Sequence, residues 1–387
     1  MRLAHFETLS PRCPSCLMQW RKDVAGPPPA PLRLLQDGQR ADDDVLAGLI
    51  RCPECAAGYP IIEGLPILLP DPARFMADHL VYGLLPQRWP NELQAWFGEA
   101  FAQSGWFPAM QRHLSVYGWD HYGGGEVAAA RPEAGGGPDV GGGPDAGGGS
   151  VARGGPDAGG GPGGVLRCLA AGLAGVEALP AGAALDAGCA AGRATFALAA
   201  RTEGLVLGID INIPLLRLAR QALTESAVTY PLRDIGSRFR MQTVPVSFPG
   251  RERVDFWVAD VHHPPFLPAS FAFLAALNLL DCLANPAQAL AALREMLGDS
   301  SLAVVSLPYD WSDAATPAGE SSGARDRSFA AASDAEALLR QHIAALGWHI
   351  RHEASHHPWY LRIHRRSTIC YDNHVLLLAG PGRVDRG

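Results

Sequence analysis

The stretch ALDAGCAAGRATF, Ala184–Phe196, decides how the second half of the chain is interpreted. A short apolar run ends at Asp186. Gly188 and Gly192 follow at a spacing that lets the backbone turn sharply and lets a ligand approach its amides. Ala190 occupies a position where a glycine would be expected, and the dinucleotide fingerprint G-x-G-x-x-G is not met. The stretch predicts a strand, a ligand-binding turn and a helix, for a ligand other than a dinucleotide.

The sequence from Val165 onward alternates short β-rich runs with helical segments. After the opening strand, the runs LVLGIDI, VDFWVADV, FAFLAALNLL and SLAVVSLPY read as strands, and HIRHEAS with TICYDNHVLLLA as a closing pair. Helices such as PLLRLARQALTES and PAQALAALREML begin at a proline. This alternation predicts an α/β fold, a parallel sheet with helices on both faces. Ligands of such sheets bind at the carboxyl ends of the strands.

Three predicted strands end in an acidic residue. Asp210 is placed to accept hydrogen bonds from both hydroxyls of a ribose, and Asp260 to meet an adenine amino group, with Val261 beside it. Each acid alone could be a helix N-cap or a solvated strand end, but the three together favour S-adenosylmethionine, which has no pyrophosphate. The predicted cofactor-binding residues are Asp186, Gly188, Ala190, Gly192, Asp210, Asp260 and Val261.

Methyl transfer is an in-line displacement, so a protein mainly positions the acceptor and excludes water. Asn278 and Asp281 follow the fourth strand and are predicted to face the methyl group. Tyr309 and Trp311 follow the fifth strand and are predicted to form a substrate wall. The predicted catalytic residues are Asp281, Tyr309 and Asn278. A helix N-cap for Asp281 and core packing for the two aromatic residues are the structural alternatives.

Residues 165 to about 380 resemble class I methyltransferases, and most closely the domain of ovothiol biosynthesis that N-methylates a mercaptohistidine imidazole. The motifs that carry this resemblance are LDAGCAAGRATFALA, GIDI, LNLLDCLANP, SLPYDW and HPWYLRIHRRS. That family commonly has Ala at the position of Ala190. The resemblance implies a Rossmann-like, seven-stranded methyltransferase sheet and a nitrogen acceptor on a small molecule. This chain departs from the family in having an N-terminal Cys-rich module and no oxygenase domain.

Two C-x-x-C pairs occur near the N-terminus, Cys13 with Cys16 and Cys52 with Cys55. Four thiolates complete a tetrahedral zinc shell and leave no position for substrate, so the pairs predict a structural Zn²⁺ site. The segment CPECAAGYPIIEGLPILLPD, residues 52–71, resembles the end of the small zinc-ribbon activator that partners tRNA, rRNA and protein methyltransferases.

Composition divides the chain into four segments. Residues 1–75 form the predicted zinc ribbon, 76–122 an aromatic helical cap or connector, and 165–387 the methyltransferase domain. Residues 123–164 are mostly glycine, with GGGPD recurring, and are predicted to be a disordered linker because they offer too little apolar surface to offset ordering. The segment YGWDHY, residues 117–122, is compatible with a lid over the pocket or with a packing surface.

The net charge and the apolar runs of the sequence limit the classes of partner that we expect. The net charge of −7 does not favour nucleic acid, although arginines at 233–253 and 362–366 leave a phosphate or a substrate carboxylate open as their partner. No segment resembles a signal peptide or a membrane span, so we expect a cytoplasmic protein with a small-molecule acceptor. The sequence carries no signal for oligomeric state.

The match HEASH, His352 to His356, has the metalloprotease pattern H-E-x-x-H. It follows the helix-ending Gly347 and reads as a strand, in which the two histidines lie about 13 Å apart, too far to share one ion. A protease is therefore not favoured. The function predicted is N-methylation of a small molecule that uses S-adenosylmethionine. The alternatives are an RNA or protein methyltransferase with a fused zinc-ribbon activator, and a non-catalytic zinc-binding scaffold.

Overall fold

The computed structural model describes residues 1–23, 26–35, 38–79, 92–93, 96, 100, 105–124, 161–311, 329 and 332–382. In the first part of these residues the elements are α1 (Leu3–Leu9), α2 (Pro14–Asp23), β1 (Arg33–Leu34), β2 (Gln39–Ala41), β3 (Asp44–Arg51), β4 (Gly58–Ile62), β5 (Leu65–Leu68), α3 (Pro72–Asp78) and α4 (Trp106–Tyr122).

The second part begins with α5 (Gly164–Gly172) and then alternates strands with helices. Its elements are β6 (Ala184–Ala187), α6 (Arg193–Ala199), β7 (Val206–Asp210), α7 (Ile213–Thr224), β8 (Ala227–Arg233), β9 (Phe239–Pro245), β10 (Val254–Ala259), β11 (Phe271–Leu277), α8 (Pro286–Glu295), β12 (Leu297–Leu307), α9 (Ala335–Ala345), β13 (His349–His364) and β14 (Ser367–Ala379). The strands and helices predicted between Ala184 and Ala379 lie where the sequence pattern puts them.

One mixed sheet holds the described part of the molecule together. Seven of its strands run in the order β10-β7-β6-β11-β12-β14-β13, with β10 to β12 parallel and β14 antiparallel to β12. This is the predicted Rossmann-like α/β fold, which is confirmed. Strand order reverses between β6 and β11, so the crevice for a ligand lies beyond the ends of these two strands. Helices α4 to α7 cover one face of the sheet, and α8 and α9 the other.

The Cys-rich module is continuous with this sheet. Strand β5 pairs in parallel with β10, with Ile67 opposite Val258 and Leu68 opposite Ala259, so that the described sheet has twelve strands. The apolar run from Leu65 to Leu68 is buried on both faces, as expected of an interior strand. Without β5, strand β10 would be an open edge of the sheet.

Charged side chains reinforce this junction. Arg220 on α7 pairs with Asp44 on β3, and the Nε atom of Arg217 lies 2.7 Å from a carboxylate oxygen of Glu63. The backbone amide of Arg2 donates to the carboxylate of Asp255, which is 1% exposed. Removing one partner of a buried ion pair leaves an uncompensated charge, so these contacts fix the module in one position.

Helix α4 packs against the sheet and its neighbouring helices. Gly118 faces Tyr230 on β8, and a Cβ atom added at Gly118 would lie 2.5 Å from the ring of Tyr230. The carboxylate of Asp120 accepts hydrogen bonds from the amides of Gly164 and Val165 at the start of α5, at 2.7 and 3.3 Å. Most of the predicted glycine linker lies outside the described residues, as does much of the predicted connector before α4.

Two features differ from a simple alternation of strands and helices. The region after α7 contains a separate β8–β9 hairpin, in which Arg233 pairs with Phe239. Strand β13 continues through Pro358 to His364, although the sequence pattern ends it near residue 355. Strand β13 is the last in the sheet order, and an edge strand tolerates proline because one side of its backbone needs no partner. The HEASH segment lies within β13, as predicted.

No helix in the described part of the chain combines the length and the apolar character that crossing a bilayer requires.

Candidate active site

The loop after β6 is shaped by three residues with positive φ. Gly188 has a φ of 70°, and an added Cβ atom would lie 2.6 Å from Leu279, in the loop after β11. At Gly192, with a φ of 82°, an added Cβ would lie 2.6 Å from the ring of Phe256. Ala190 adopts a φ of 48°, a left-handed conformation that a methyl side chain tolerates at some cost. The loop therefore needs glycine at positions 188 and 192, on either side of Ala190, because a side chain there would lack space and would strain the backbone.

Asp210 joins the ends of β6 and β7. Its carboxylate accepts hydrogen bonds from the amide of Ala190 at 2.9 Å and from that of Asn212 at 2.8 Å. Burial raises the pKa of Asp210, and these amides oppose the shift by stabilising the charged form. The residue is half-buried at the end of β7, so its carboxylate is not closed off from solvent.

Asp186 is positioned differently from Asp210. Its side chain is 2% exposed and accepts a hydrogen bond of 2.6 Å from the hydroxyl of Thr195, on α6. Burial raises the pKa of Asp186 to about 7, with a further contribution from the nearby charge of Asp210. Asp186 therefore joins the end of β6 to α6 by a hydrogen bond. It is buried beneath the loop, so it would attract the positive charge of a ligand only across the loop.

Asp260 lies directly after β10. It accepts hydrogen bonds from the backbone amide and the ring Nδ1 of His262, at 2.9 and 2.8 Å. Burial opposes ionisation, but the hydrogen bond and charge of His262 outweigh burial and lower the pKa of Asp260. Val261 is 5% exposed and belongs to the core. Asp260 is thus a fixed carboxylate at the strand end, one strand away from Asp210.

Asp281 occupies a 3₁₀ turn, Leu280–Cys282, after β11. It is 5% exposed, and its Oδ1 atom has no hydrogen-bond partner among the described residues. Burial, together with the charge of Asp310, raises the pKa of Asp281 to about 7. It does not cap the next helix, because Asn285 does so. A buried carboxylate oxygen without a partner is costly, and such costs are typical of functional sites.

Two tyrosines border Asp281 that the sequence did not single out individually. The hydroxyl of Tyr371 donates to a carboxylate oxygen of Asp310 at 3.0 Å, and burial raises its pKa to about 12. Burial also raises the pKa of Tyr117, with further contributions from Asp210 and Asp281. Tyr117 lies on α4 and Tyr371 on β14, so only the tertiary structure brings them to this site. The aromatic helix YGWDHY therefore contributes both to packing and to the site.

The other two predicted catalytic residues have engaged side chains. The amide oxygen of Asn278 accepts from Ser306 Oγ at 2.9 Å, and its amide nitrogen donates to Asn373 at 3.3 Å. The hydroxyl of Tyr309 lies 2.7 Å from Nδ1 of His374, against which its ring stacks. Both residues have positive φ, 50° for Asn278 and 60° for Tyr309, which marks strained backbone at this edge of the sheet.

Tyr309 begins a chain of polar contacts that leads away from Asp281. Nε2 of His374 lies 2.9 Å from a carboxylate oxygen of Glu353, which in turn accepts from Arg340 on α9. Tyr309 has a positive φ, and its side chain and that of the next residue have different partners. Tyr309 joins this chain of contacts, whereas Asp310 accepts a hydrogen bond from Tyr371. The structure thus brings Asp281 and Asp310 together and directs Tyr309 to His374.

The end of α4 contacts the cofactor loop directly. The hydroxyl of Tyr122 donates to the carbonyl of Ala191, and Nδ1 of His121 accepts from the amide of Arg193 at 3.1 Å. Burial, and then the charge of Arg193, lower the pKa of His121 to about 3, so this histidine is neutral at pH 7. Helix α4 therefore supports the loop from the side opposite the sheet.

The four cysteines of the two C-x-x-C pairs lie together. The Sγ atoms of Cys13 and Cys55 are 3.6 Å apart, and those of Cys16 and Cys52 are 3.8 Å apart. All four lie within 4.8 Å of one another. Four sulfurs around a tetrahedral ion at a Zn–S distance of about 2.3 Å would be separated by about 3.8 Å. The residues present therefore fit such an ion in both donor type and spacing.

The Cys-rich module also contacts the loop that follows Asp260. The amide of Arg12 donates to the carbonyl of Pro265 at 2.8 Å, and the guanidinium of Arg21 donates to the carbonyl of Phe266 at 3.2 Å. Together with the β5–β10 pairing, these contacts hold both ends of the segment that carries Asp260. The module thus supports one of the predicted cofactor residues.

Comparisons with known proteins agree with this arrangement. Residues 185–305, from β6 to within β12, match the family model of a methyltransferase domain. No match to the chain is found among curated proteins. Several solved structures are similar at low identity. A S-adenosylmethionine-dependent methyltransferase from Methanosarcina mazei is 18% identical, with 52% of this chain and 92% of that chain covered and a TM-score of 0.34.

Two further solved structures have different printed descriptions. A complex between the Haloferax volcanii Trm112 methyltransferase activator and a putative methyltransferase is 13% identical, with 56% and 89% of the two chains covered and a TM-score of 0.35. A phosphoethanolamine N-methyltransferase from Haemonchus contortus, in complex with S-adenosylmethionine, is 14% identical, with 50% and 39% covered and a TM-score of 0.33. These likenesses are distant, and the family match carries the assignment. Residues 185–305 are therefore similar to a methyltransferase domain.

Proposed function

We propose that the chain methylates a nitrogen atom of a small molecule, with an imidazole or amino-acid-like acceptor. The observation that carries this proposal is the buried Oδ1 atom of Asp281, which has no partner among the described residues and lies beyond the strand next to the cofactor loop. A nitrogen acceptor that carries an N–H group would supply the missing hydrogen bond. The resemblance to the mercaptohistidine enzyme supports an imidazole.

The chemistry follows from the position of Asp281. When bound, S-adenosylmethionine would supply an activated methyl group; the lone pair of the acceptor nitrogen would form the new N–C bond, and the electrons of the broken S–C bond would stay on sulfur. The N–H proton then passes to the carboxylate of Asp281. Its pKa of about 7 suits a group that must accept a proton at neutral pH and return it to water.

The surroundings of Asp281 favour a basic or N–H-bearing acceptor over an anionic one. Asp310 adds a second carboxylate, and Tyr117 and Tyr371 add aromatic walls with hydroxyl groups. Aromatic rings and carboxylates both stabilise positive charge, which develops on the nitrogen as the methyl group is transferred.

We assign cofactor binding to the loop and strand ends described above. Asp210 would accept from the ribose hydroxyls, and Asp260 from the adenine amino group, with Val261 shaping the pocket beneath. The open backbone between Gly188 and Gly192 would leave room for the amino-acid end of the cofactor, with Asp186 below. Asn278 and Tyr309 act as positioning residues in this proposal.

We also propose that Cys13, Cys16, Cys52 and Cys55 bind a structural Zn²⁺ ion. None of the eight cysteines, all of which lie among the described residues, forms a disulfide. We also propose a cytoplasmic location, where thiols stay reduced and can bind metal. The domain division that we propose is 1–75 for the ribbon, 76–122 for the connector, 123–164 for the linker and 165–387 for the methyltransferase domain.

The decisive experiment combines binding with product analysis. Calorimetry should detect binding of S-adenosylmethionine to the full chain, with Asp210→Ala as the variant that loses it. Radiolabelled cofactor incubated with cell extract should then transfer label to the metabolite fraction, and Asp281→Asn should abolish that transfer without loss of cofactor binding. Binding without any transfer would contradict catalysis and leave the non-catalytic scaffold.

A second candidate is an RNA or protein methyltransferase whose ribbon replaces a separate activator subunit. The observation in its favour is the β5–β10 pairing, which makes the ribbon part of the methyltransferase sheet. In the extract experiment, label in RNA or protein and none in metabolites would decide for this candidate and against a small-molecule acceptor.

A further inference from the structure

A cavity of about 160 Å³ lies between α4 and the β8–β9 hairpin, apart from the residues assigned above to cofactor and acceptor. Phe107, Pro108 and Phe239 give it apolar walls, and Arg112 and Arg233 line it with two guanidinium groups. No aspartate or glutamate is among its lining residues. The cavity therefore combines an apolar interior with positive charge that no lining carboxylate neutralises.

Arg233 is held in position by the hairpin. Its Nε donates to the carbonyl of Gly236 at 2.6 Å, and its backbone amide donates to the hydroxyl of Ser115 on α4 at 2.8 Å. Among the described residues, its terminal nitrogens have no partner within hydrogen-bond distance. A guanidinium fixed through Nε presents its remaining donors in one direction, which reduces the entropy lost on binding an anion.

The second guanidinium is close enough to Arg233 to act on it. Burial and then the charge of Arg112 lower the pKa of Arg233. No carboxylate of the described residues forms an ion pair with Arg112, which lies exposed at the rim of the cavity. Two like charges facing one cavity repel each other, and an anion between them would replace the repulsion by two charge-assisted hydrogen bonds.

Further arginines on the surface around the cavity add to its positive electrostatic field. Arg240 lies on β9 of the hairpin, Arg362 at the end of β13, and Arg365 in the β13–β14 turn, where it pairs with Asp234. This surface is positive on a chain whose net charge is −7. A local field of one sign raises the concentration of small ions of the opposite sign and the rate at which they associate.

We propose that the cavity between α4 and the β8–β9 hairpin binds a small anionic molecule whose carboxylate or phosphate group is held by Arg112 and Arg233 and whose apolar or aromatic body packs against Phe107 and Phe239. This site is separate from the proposed methyl transfer and does not depend on it. A planar carboxylate and a tetrahedral phosphate both present a pair of oxygens, and a guanidinium recognises such a pair through two hydrogen bonds.

Calorimetric titration of the full chain with benzoate, phenyl phosphate and benzyl alcohol tests this site. We expect the two anions to bind and the neutral alcohol to bind at least about tenfold more weakly, since it lacks the charge-assisted bonds. A preference for one anion over the other identifies the natural group as carboxylate or phosphate. If benzyl alcohol binds as tightly as both anions, the arginine pair has no role and the proposal is wrong.

Substitutions separate the proposed site from general surface charge. Arg112→Gln and Arg233→Gln should each weaken anion binding by about tenfold, and Arg233→Lys by less, because the lysine keeps the charge and loses the fork. Arg238→Gln is the matched control, since Arg238 is exposed in the same hairpin turn and does not line the cavity. Circular dichroism and thermal unfolding of every variant show that it is folded and keep this test independent of the methyltransferase proposal.

Two results would overturn the proposal. One is a double variant, Arg112→Gln with Arg233→Gln, that binds phenyl phosphate as tightly as the unchanged chain. The other is an unchanged, folded chain that binds neither anion at millimolar concentration.

Discussion

The backbone amide of Ala190 donates a hydrogen bond of 2.9 Å to the carboxylate of Asp210, and this contact joins the loop after the first methyltransferase strand to the end of the second. Ala190 makes it from a left-handed conformation with a φ of 48°. The position that lacks the expected glycine therefore has the backbone that glycine prefers. The alanine methyl group is kept at a cost in conformational energy.

We expect Ala190→Gly to leave the loop intact and to raise the free energy of unfolding by up to about 1 kcal/mol, because glycine has no steric penalty at positive φ. Ala191→Gly is the matched control. Ala191 is fully buried without a positive φ, so its substitution should lower stability by roughly 1 kcal/mol through lost packing and added chain entropy. Urea unfolding of both variants measures the difference. Equal losses in both would show that Ala190 is not strained.

We expect Asp281→Asn to lower activity and to raise stability. Burial raises the pKa of Asp281 to about 7, so the folded state binds a proton more tightly than the unfolded state does. The stabilisation from the protonated form is present at low pH and is lost as pH rises through about 7. At pH 8 an asparagine, which needs no proton, should raise the free energy of unfolding by roughly 1–3 kcal/mol.

The same substitution predicts a change in the pH profile. With Asp281 as proton acceptor, kcat/KM of the unchanged chain should fall as pH drops below about 7, because the protonated carboxyl cannot accept the N–H proton. Asp281→Asn should lower kcat by about 100-fold and remove this dependence. Asp299→Asn, at an exposed position, is the control. An acid limb that persists in Asp281→Asn would assign the titration to another group.

Loss of the cysteine cluster should weaken cofactor binding at a distance. The ribbon supports Asp260 through the β5–β10 pairing and through the contact between Arg12 and Pro265. We expect Cys52→Ser, or removal of metal by a chelator, to lower the melting temperature and to weaken binding of S-adenosylmethionine by about tenfold or more.

The control for the ribbon is Cys370→Ser, which alters an exposed thiol outside the cluster. It should change neither quantity. Metal analysis should find close to one Zn²⁺ per chain in the unchanged protein and in Cys370→Ser. A Cys52→Ser chain that unfolds and binds the cofactor like the unchanged one would show that the ribbon does not support the site.

Gly118→Ala should loosen helix α4 from the sheet. In a helix this change ordinarily gains about 1 kcal/mol, but the new Cβ would lie 2.5 Å from the Tyr230 ring, and overpacking costs about 1–3 kcal/mol. We therefore expect a net loss of stability. A Cβ atom added at Gly105, the residue before α4, meets no atom of the described residues within 4 Å, so Gly105→Ala should lower stability by less. Thermal unfolding compares the two, and equal melting temperatures would contradict the packing of α4 on β8.

Most strands and helices of the fold can be predicted from the sequence because the patterns that mark them are local. The alternation of apolar runs with proline-started helices predicted β6, β7 and β10 to β14, but not the β8–β9 hairpin. The acids Asp210 and Asp260 follow from their positions at strand ends. The two C-x-x-C pairs are likewise local, and their sulfurs lie together in the structure.

What the sequence did not indicate depends on tertiary contacts. No local pattern identifies β10 as the partner of β5, because an apolar strand can pair with any open edge. Tyr117 and Tyr371 reach Asp281 from elements far apart in the chain. Tyr309 turns towards His374 because its backbone adopts a positive φ, which the residue type does not predict.

The Cys-rich module and the strands β6, β7 and β10 to β14 form one sheet, and this matters to anyone who trims the chain. A fragment that begins at residue 165 would present the backbone donors and acceptors of Val258 and Ala259 to solvent, beside a row of apolar side chains. Unsatisfied edges of this kind recruit strands from other molecules. Such a fragment should precipitate or self-associate, and its poor solubility would reflect the missing neighbour rather than a defect in the catalytic half.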